Sequence, residues 1–164
     1  MDIGIRNAQM DDLNRLMEIE RLTFPPAEVA TPDVFAYRIK HFNEWFHVAV
    51  AEDQIVGLIN GRLTALNCIK DELYEPAGSS SGRNFALLCV ETDPAWQKRG
   101  VAEKMIGHCI EQAKKAGVES VMLACKDGLV AYYQKFGFIN KGVSSSVHGG
   151  AIWNDMELTL ARLS

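Results

Sequence analysis

Apolar residues recur at helical spacing in some segments of the chain and form short continuous runs in others. Helical spacing or helix-end signals mark four segments, which are Asp11–Phe24, Thr31–Phe42, Val101–Gly117 and Gly128–Phe136. The first begins with two acidic residues and ends at a Pro-Pro pair. The second has a threonine N-cap before a proline. The third has the clearest apolar stripe and ends on a glycine, so four helices are expected.

Seven further segments are apolar or alternating and are bounded by turn residues, which predicts strands. They are Ile3–Arg6, Phe46–Ala51, Ile55–Leu63, Phe85–Val90, Val118–Cys125, Phe138–Gly142 and Ala151–Leu160. The fourth is apolar throughout, as is typical of a central strand buried on both faces. It should form a parallel, right-handed unit with the next helix and strand. The Ser/Gly-rich residues 75–84 read as a surface loop. The order of elements predicts a mixed α/β fold in one domain spanning residues 1–164.

Composition mainly excludes classes of protein. The chain has 164 residues, 48% of them hydrophobic, and a net charge of −4, which is typical of a globular protein. This acidic balance argues against a general nucleic-acid partner, because phosphate contacts need a basic surface. No secretory signal pattern and no membrane-spanning apolar run is found in the sequence, so we expect a cytoplasmic protein without a membrane partner.

The four cysteines, Cys68, Cys89, Cys109 and Cys125, are far apart in the sequence. No CxxC pair and no Cys/His spacing typical of a zinc site occurs. We therefore expect buried, reduced thiols and no metal centre.

The segment VETDPAWQKRGVAEKMI, from Val90 to Ile106, leaves the central strand and opens the clearest helix. A helix N-terminus offers unpaired amides and partial positive charge, and Gly100 would let a phosphate approach the backbone. Neither a P-loop nor a dinucleotide-binding glycine pattern is present. By itself the segment is either a phosphate-binding turn or an ordinary polar turn.

Residues Gln97–Ala102 resemble motif A of the GNAT acetyltransferase superfamily: Gln or Arg, two residues, Gly, one residue, then Gly or Ala. The resemblance implies the GNAT fold, a central mixed twisted sheet of about seven strands flanked by four helices. It also implies acetyl-CoA as co-substrate, with its pyrophosphate on these amides. The residues that it places at the cofactor are Val90, Glu91, Thr92, Gln97, Lys98, Arg99, Gly100, Val101, Ala102, Glu103 and Tyr133.

Two longer segments resemble the arylalkylamine (serotonin) N-acetyltransferases within that superfamily. They are LACKDGLVAYYQKFGF, from Leu123 to Phe138, and ERLTFPPAEVATPDVFAYRIKHF, from Glu20 to Phe42. The ending MELTL, residues 156–160, is similar to the last strand of that group. The resemblance implies an acyltransferase that acetylates a small primary amine, either arylalkylamine-like or polyamine-like.

Tyr133 is the candidate general acid. By resemblance it matches the family tyrosine near the CoA sulfur, where a phenol protonates the departing thiolate. The alternative is that Tyr133 is a packed aromatic on a short helix. The neighbouring Tyr132 is expected in the core.

The general base is missing from its usual positions. Counted back from Gln97, the histidines of the arylalkylamine enzymes fall on Ala86 and Leu88, and neither side chain accepts a proton. Removal of the amine proton through water is the simplest reading. Glu91 and His148 are alternative bases. For His41, His47 and His108 structural or surface roles are expected.

Residues 24–31 are expected to cover the acceptor amine, as the resemblance implies. Phe24, Pro25 and Glu28 are the candidate substrate-binding residues, with the carboxylate pairing with a cationic amine. Phe35 and Trp45 either line an acceptor pocket or belong to the core.

Two other functions remain open from the sequence, a protein lysine or N-terminal acetyltransferase and a non-catalytic CoA-binding module. The sequence fits a monomer or a homodimer, and it does not name the acceptor amine.

Overall fold

A computed structural model describes residues 2–78, 80–146 and 148–160. The strands are β1 Gly4–Asn7, β2 Phe46–Ala51, β3 Gln54–Thr64, β4 Asn84–Thr92, β5 Ser120–Cys125, β6 Ile139–Val143 and β7 Asn154–Thr159. The α-helices are α1 Leu13–Thr23, α2 Pro32–His41, α3 Val101–Lys115 and α4 Val130–Gln134. The strands form one seven-stranded sheet in the order β1-β2-β3-β4-β5-β7-β6. This is the mixed α/β sheet with four helices that the sequence predicts.

The chain divides into two compact units. One comprises residues 1–61, 76–79 and 89–109, and the other comprises residues 62–75, 80–88 and 110–164. β3, β4 and α3 each contribute residues to both units.

In the first unit β1, β2 and β3 are antiparallel, with Ile5 opposite Ala49 and Val48 opposite Leu58. The apolar stripes of α1 and α2 pack on these strands because helical spacing places their apolar residues on one face. The resulting core contains Ala8, Leu16, Met17, Ile19, Phe35, Ile39, Phe46, Val48, Ile55, Leu58 and Cys89. The centre of this core is fully buried, since its innermost side chains are 0% exposed: Leu16, Phe35, Phe46 and Leu58.

In the second unit β4 is parallel to β5 over residues 84–86 and 120–122, as predicted for the strand–helix–strand segment. β7 lies antiparallel between β5 and β6, with Leu123 opposite Met156. A separate core of Ile69, Leu73, Ala86 and Met122 packs here. Seven of the nine β4 residues are buried, which confirms a central strand.

Several predicted boundaries are wrong at element ends. α1 begins at Leu13 after a 3-10 turn over Met10–Asp12. Pro32 is the first residue of α2, but the Thr31 side chain makes no capping hydrogen bond. β7 begins at Asn154 rather than Ala151, because a 3-10 turn with left-handed glycines at 149 and 150 precedes it. Local propensity does not set these ends, since tertiary pairing decides where a strand begins.

The cysteines are free thiols, and three of them are buried as expected. Burial raises the pKa of Cys109 to about 12 and that of Cys125 to about 11, so neither is a reactive thiolate. Cys68 departs from the expectation because it is only half-buried. Among the described residues, no helix is long and apolar enough to span a membrane.

Candidate active site

The turn between β4 and α3 lies in the first unit and is braced at its start by Asp93. The carboxylate of Asp93 accepts the amide of Ala95 at 2.9 Å and pairs with Arg15 at 2.5 Å. Partial burial opposes ionisation, but the hydrogen bonds from Ala95 and Arg15 hold the pKa of Asp93 below its usual value. The Asp93 amide donates to Val56 at 2.9 Å, which ties the turn to β3. These bonds tie the start of the turn to α1 and to β3.

The turn then adopts left-handed backbone at two positions, Lys98 with φ 63° and Gly100 with φ 83°. A side chain at Gly100 would meet no atom within 4 Å, so glycine is needed here for its backbone and leaves open space above the chain. Residues 97–100 are all exposed. The turn is therefore open to solvent and carries the positive charges of Lys98 and Arg99.

Helix α3 begins directly after this turn. Its first closing bond runs from the Lys104 amide to the Gly100 carbonyl at 3.1 Å. The amides of residues 101–103 precede that bond and point out of the helix end. Arg99 places its guanidinium 4.8 Å from the centre of the Trp96 ring, while Lys98 is exposed. The helix end therefore offers amides and a lysine charge together.

Gly57 of β3 holds the first turn of α3 close to the sheet. A Cβ at Gly57 would lie 2.9 Å from both the Glu91 carbonyl oxygen and Met105 Cε, and 3.1 Å from Val101 Cγ1. Only a glycine permits this approach. The local sequence pattern did not indicate Gly57, because the close contact joins β3 to α3, which is distant in sequence.

Tyr133 belongs to the second unit and is only 8% exposed. Its ring packs edge to face on Tyr132 at 5.3 Å and on Phe138 at 5.9 Å. Tyr132 is expected in the core but is only half-buried. Tyr133 is the more deeply buried of the two tyrosines. Tyr133 is therefore a packed aromatic residue, and its role as a general acid stays a prediction.

The positions of the missing histidines are apolar in structure as well as in sequence. Ala86 is 0% exposed and packs with Ile69 and Met122, and Leu88 packs against the same cluster. Neither position offers a proton acceptor or room for a larger side chain without repacking this core.

Glu91 faces a different environment. Alternation along β4 puts its side chain on the same side as Cys89, whose thiol donates a hydrogen bond to Glu91 Oε2. Glu91 is 1% exposed, and its Oε1 has no hydrogen-bond donor among the described residues. Burial and the neighbouring Glu20 carboxyl raise the pKa of Glu91 to about 9. Glu91 is therefore neither a surface residue nor an ionised base at neutral pH.

The predicted acceptor loop lies in the first unit. Phe24 is half-buried and Pro25 is exposed. Glu28, in the 3-10 turn Pro26–Glu28, is buried, with only 7% of its surface exposed. Phe35 and Trp45 are core residues, at 0% and 4% exposed. Of the aromatic candidates for an acceptor pocket, only Phe24 keeps an accessible surface.

Residues 13–138 match the model of the acetyltransferase (GNAT) family, which covers more than half of the chain. The chain belongs to the GNAT acetyltransferase family. Its mixed seven-stranded sheet with four helices is the fold of that family, whose members are acetyltransferases.

Relatives of this GNAT protein differ in the acceptor that their names give. A probable glucosamine 6-phosphate N-acetyltransferase 2 from Oryza sativa subsp. japonica is 39% identical over 101 residues, 62% of this chain and 58% of that protein. An N-alpha-acetyltransferase from Saccharolobus solfataricus is 36% identical over 142 residues, 84% of this chain and 80% of that one. The alignment thus spans less than two thirds of the rice protein.

A solved structure with the same fold is an N-acetyltransferase, PaiA, from Thermoplasma acidophilum in complex with coenzyme A. It covers 98% of this chain and 100% of that chain, with a TM-score of 0.72 at 16% identity. This likeness shows a shared fold. None of these three proteins is named as an arylalkylamine N-acetyltransferase, so the resemblance of two segments to that subgroup is not confirmed.

The histidines have structural surroundings in this GNAT protein. His41 stacks on Tyr37 at 4.2 Å. His47 is buried and meets the ring of the exposed His108 at 4.8 Å. Burial, with a smaller contribution from His108, lowers the pKa of His47 to about 4. The side chain of His148, an alternative base, lies outside the described residues.

Proposed function

We propose that this protein transfers the acetyl group of acetyl-CoA directly to a small primary amine, and that residues 1–164 form one catalytic domain. The observation that carries the proposal is the exposed turn before α3, with left-handed Lys98 and Gly100 next to free helix amides. Such an arrangement is chemically suited to a diphosphate. Family membership and the coenzyme A complex of a protein with this fold support the same co-substrate.

In this proposal residues Gln97–Glu103 hold the pyrophosphate through amides and through the Lys98 charge. Val90, Glu91 and Thr92 contribute only backbone groups of β4, since Glu91 turns its side chain into the core. The absence of a side chain at Gly100 leaves the phosphate free to approach. The role of Arg99 is to brace the turn through its stacking on Trp96.

The chemistry requires a neutral amine at the thioester carbonyl. With Ala86 and Leu88 unable to accept a proton, water removes the proton from the ammonium group before attack. A carbon–nitrogen bond then forms as the carbon–sulfur bond breaks, and Tyr133 donates its phenolic proton to the departing thiolate. The nitrogen, now bonded to the acetyl carbon, releases its second proton to water, and water delivers a proton to the Tyr133 phenolate, so the products are an N-acetylamine and the CoA thiol.

A small amine is the preferred acceptor. The rice relative is named for a small amine, glucosamine 6-phosphate, and the segments Glu20–Phe42 and Leu123–Phe138 resemble arylalkylamine enzymes. Phe24 and Pro25 supply an apolar, stiff wall, and the Glu28 carboxylate attracts the ammonium group. The second candidate acceptor is a protein N-terminal amine, because the archaeal relative that aligns with 84% of this chain is named for that activity.

Calorimetric titration of CoA tests the cofactor turn. Gly100→Ala forces an alanine into a left-handed backbone, which costs about 1–2 kcal/mol, and adds a methyl group in the ligand's path. We expect CoA affinity to fall at least tenfold. Gly107→Ala is the matched control, because this α3 glycine also has open space around it but no left-handed backbone, and its affinity should stay within twofold. Equal affinities for both variants would contradict the assignment of the turn.

An acceptor panel, read by release of CoA thiol, tests the reaction. It contains tryptamine, phenethylamine, spermidine, glucosamine 6-phosphate and peptides with free N-termini. Without an enzymic base, kcat/KM for an alkylamine of pKa near ~10.4 should rise about tenfold per pH unit between pH 6 and 8. Acetylation of peptides alone would establish the second candidate. CoA binding without turnover of any amine would leave a non-catalytic CoA-binding module.

A further inference from the structure

A buried carboxyl pair joins α1 to β4 in the first unit, and the proposed mechanism does not use it. Glu20 and Glu91 are 3% and 1% exposed, and the thiol of Cys89 lies with them. One carboxylate oxygen of each glutamate and the Sγ atom of Cys89 all lie within 4.8 Å of one another. Two buried carboxyl groups this close together cannot both stay ionised without a large cost in free energy.

One buried cation faces the pair. Arg38 of α2 is 4% exposed, donates to Asn60 Oδ1 at 3.0 Å, and acts electrostatically on both Glu91 and Cys89. With Arg38 positive and the thiol neutral, the net charge of the cluster is zero when Glu20 and Glu91 share one proton and carry one negative charge between them. The charged and titratable groups around Glu91 are thus Glu20 on α1, Arg38 on α2 and Cys89 on its own strand.

Glu20 connects this pair to the loop that follows α1. Its Oε2 accepts the amide of Ala30 at 2.9 Å, across the whole of residues 24–31. Its backbone carbonyl accepts the amide of Phe24 at 3.1 Å, where the loop begins. Val29 and Ala30 pack on the core of the same unit. The Glu20 side chain therefore anchors the far end of the loop at Ala30, while its backbone ends the helix where the loop begins.

We propose that Glu91 is a positioning residue for the acceptor loop, acting through Glu20. A proton shared by the two carboxyl groups fixes Glu20 in the orientation that anchors Ala30. Loss of that proton places two negative charges in the core, and Glu20 turns away and frees the loop. The functional part of this inference rests on the proposed role of residues 24–31 in acceptor binding.

Hydrogen exchange of peptides covering residues 24–31 tests the coupling without any need for activity. After correction for intrinsic rates, protection in the wild type should fall at least tenfold between pH 7 and pH 10. Glu91→Gln keeps a donor towards Glu20 and does not titrate, so its protection should fall less than twofold. Glu91→Leu has no donor and should lose the protection at pH 7. Peptides from residues 46–60 of the same unit serve as the internal control.

Kinetics separate positioning from general stability. Glu91→Leu should raise the KM of the acceptor at least fivefold at pH 7, a larger change than in the KM of acetyl-CoA, to which Glu91 contributes only backbone groups in the proposed function. Wild-type loop protection in Glu91→Leu, or equal pH dependence in the wild type and Glu91→Gln, would overturn the coupling even if no amine is ever acetylated. A loosened loop with an unchanged acceptor KM would overturn the positioning role while leaving the acetyltransferase proposal intact.

Discussion

A phenol buried between two aromatic rings has limited freedom, and this shapes what Tyr133 can do. Its edge-to-face contacts with Tyr132 and Phe138 restrict the motion of the ring. A fixed donor suits a general acid, because proton transfer to a thiolate depends on a set direction. The same packing also explains the residue without catalysis, so only the hydroxyl itself distinguishes the two roles.

Tyr133→Phe removes that hydroxyl and keeps the ring. If Tyr133 protonates the thiolate, kcat should fall at least tenfold, while CoA affinity by calorimetry and the melting temperature change little. Tyr132→Phe is the matched control on the same helix and should keep kcat within threefold. A Tyr133→Phe enzyme with wild-type kcat would leave this tyrosine as a packing residue.

At the scale of elements, the active-site turn depends on how closely α3 approaches β3. Gly57 permits the Val101 and Met105 side chains to lie against the strand, and the Asp93 amide donates to the carbonyl of Val56, the residue before Gly57. Arg15 of α1 adds a second brace, since it bonds both Asp93 and the Ile55 carbonyl at 3.0 Å. Three elements of the first unit, α1, β3 and α3, therefore hold the turn in place.

Gly57→Ala should force α3 away from the sheet, because its methyl group would lie 2.9 Å from Met105 Cε and 3.1 Å from Val101 Cγ1. We expect a loss of about 1–3 kcal/mol in the free energy of unfolding, measured with urea, as is typical of overpacking. CoA affinity should fall as well. Gly4→Ala is the strand control, since its methyl group would meet only Val50 O at 3.9 Å. A Gly57→Ala protein as stable as Gly4→Ala would refute the close approach.

At the scale of the whole molecule, the Glu91 proton links stability to pH. Its pKa is raised above the unfolded value, so the folded state holds the proton longer than the unfolded state does. The contribution is fully present below pH ~4.5 and is lost as pH rises towards 9, where the folded group ionises. Glu91 therefore destabilises the protein at neutral pH relative to an uncharged isostere that keeps its hydrogen bonds.

Urea unfolding of the wild type and Glu91→Gln between pH 6 and 8.5 measures this link. The wild type should lose stability relative to the variant by up to about 1.4 kcal/mol per pH unit, one proton's worth. The difference between the two proteins cancels the other titrating groups. Parallel stability curves would mean that Glu91 is ionised in the folded protein.

The sequence by itself determined the features that depend on local patterns. Helical spacing, apolar runs and the Gln97–Ala102 motif are short-range signals, so the mixed α/β fold, the GNAT family and the turn before α3 could be predicted. Element ends could not, as β7 shows, because strand pairing decides them. The residues assigned to the cofactor and to the acceptor remain predictions.

Only the tertiary structure decided how distant positions meet. Glu20, Arg38, Cys89 and Glu91 come from three elements, and no local pattern pairs them. Nor did the sequence alone decide whether Glu91 reaches solvent or the core. That choice follows from the alternation of β4 and from what α1 and α2 place against it. The pKa of a side chain is set by such surroundings, which exist only after the chain has folded.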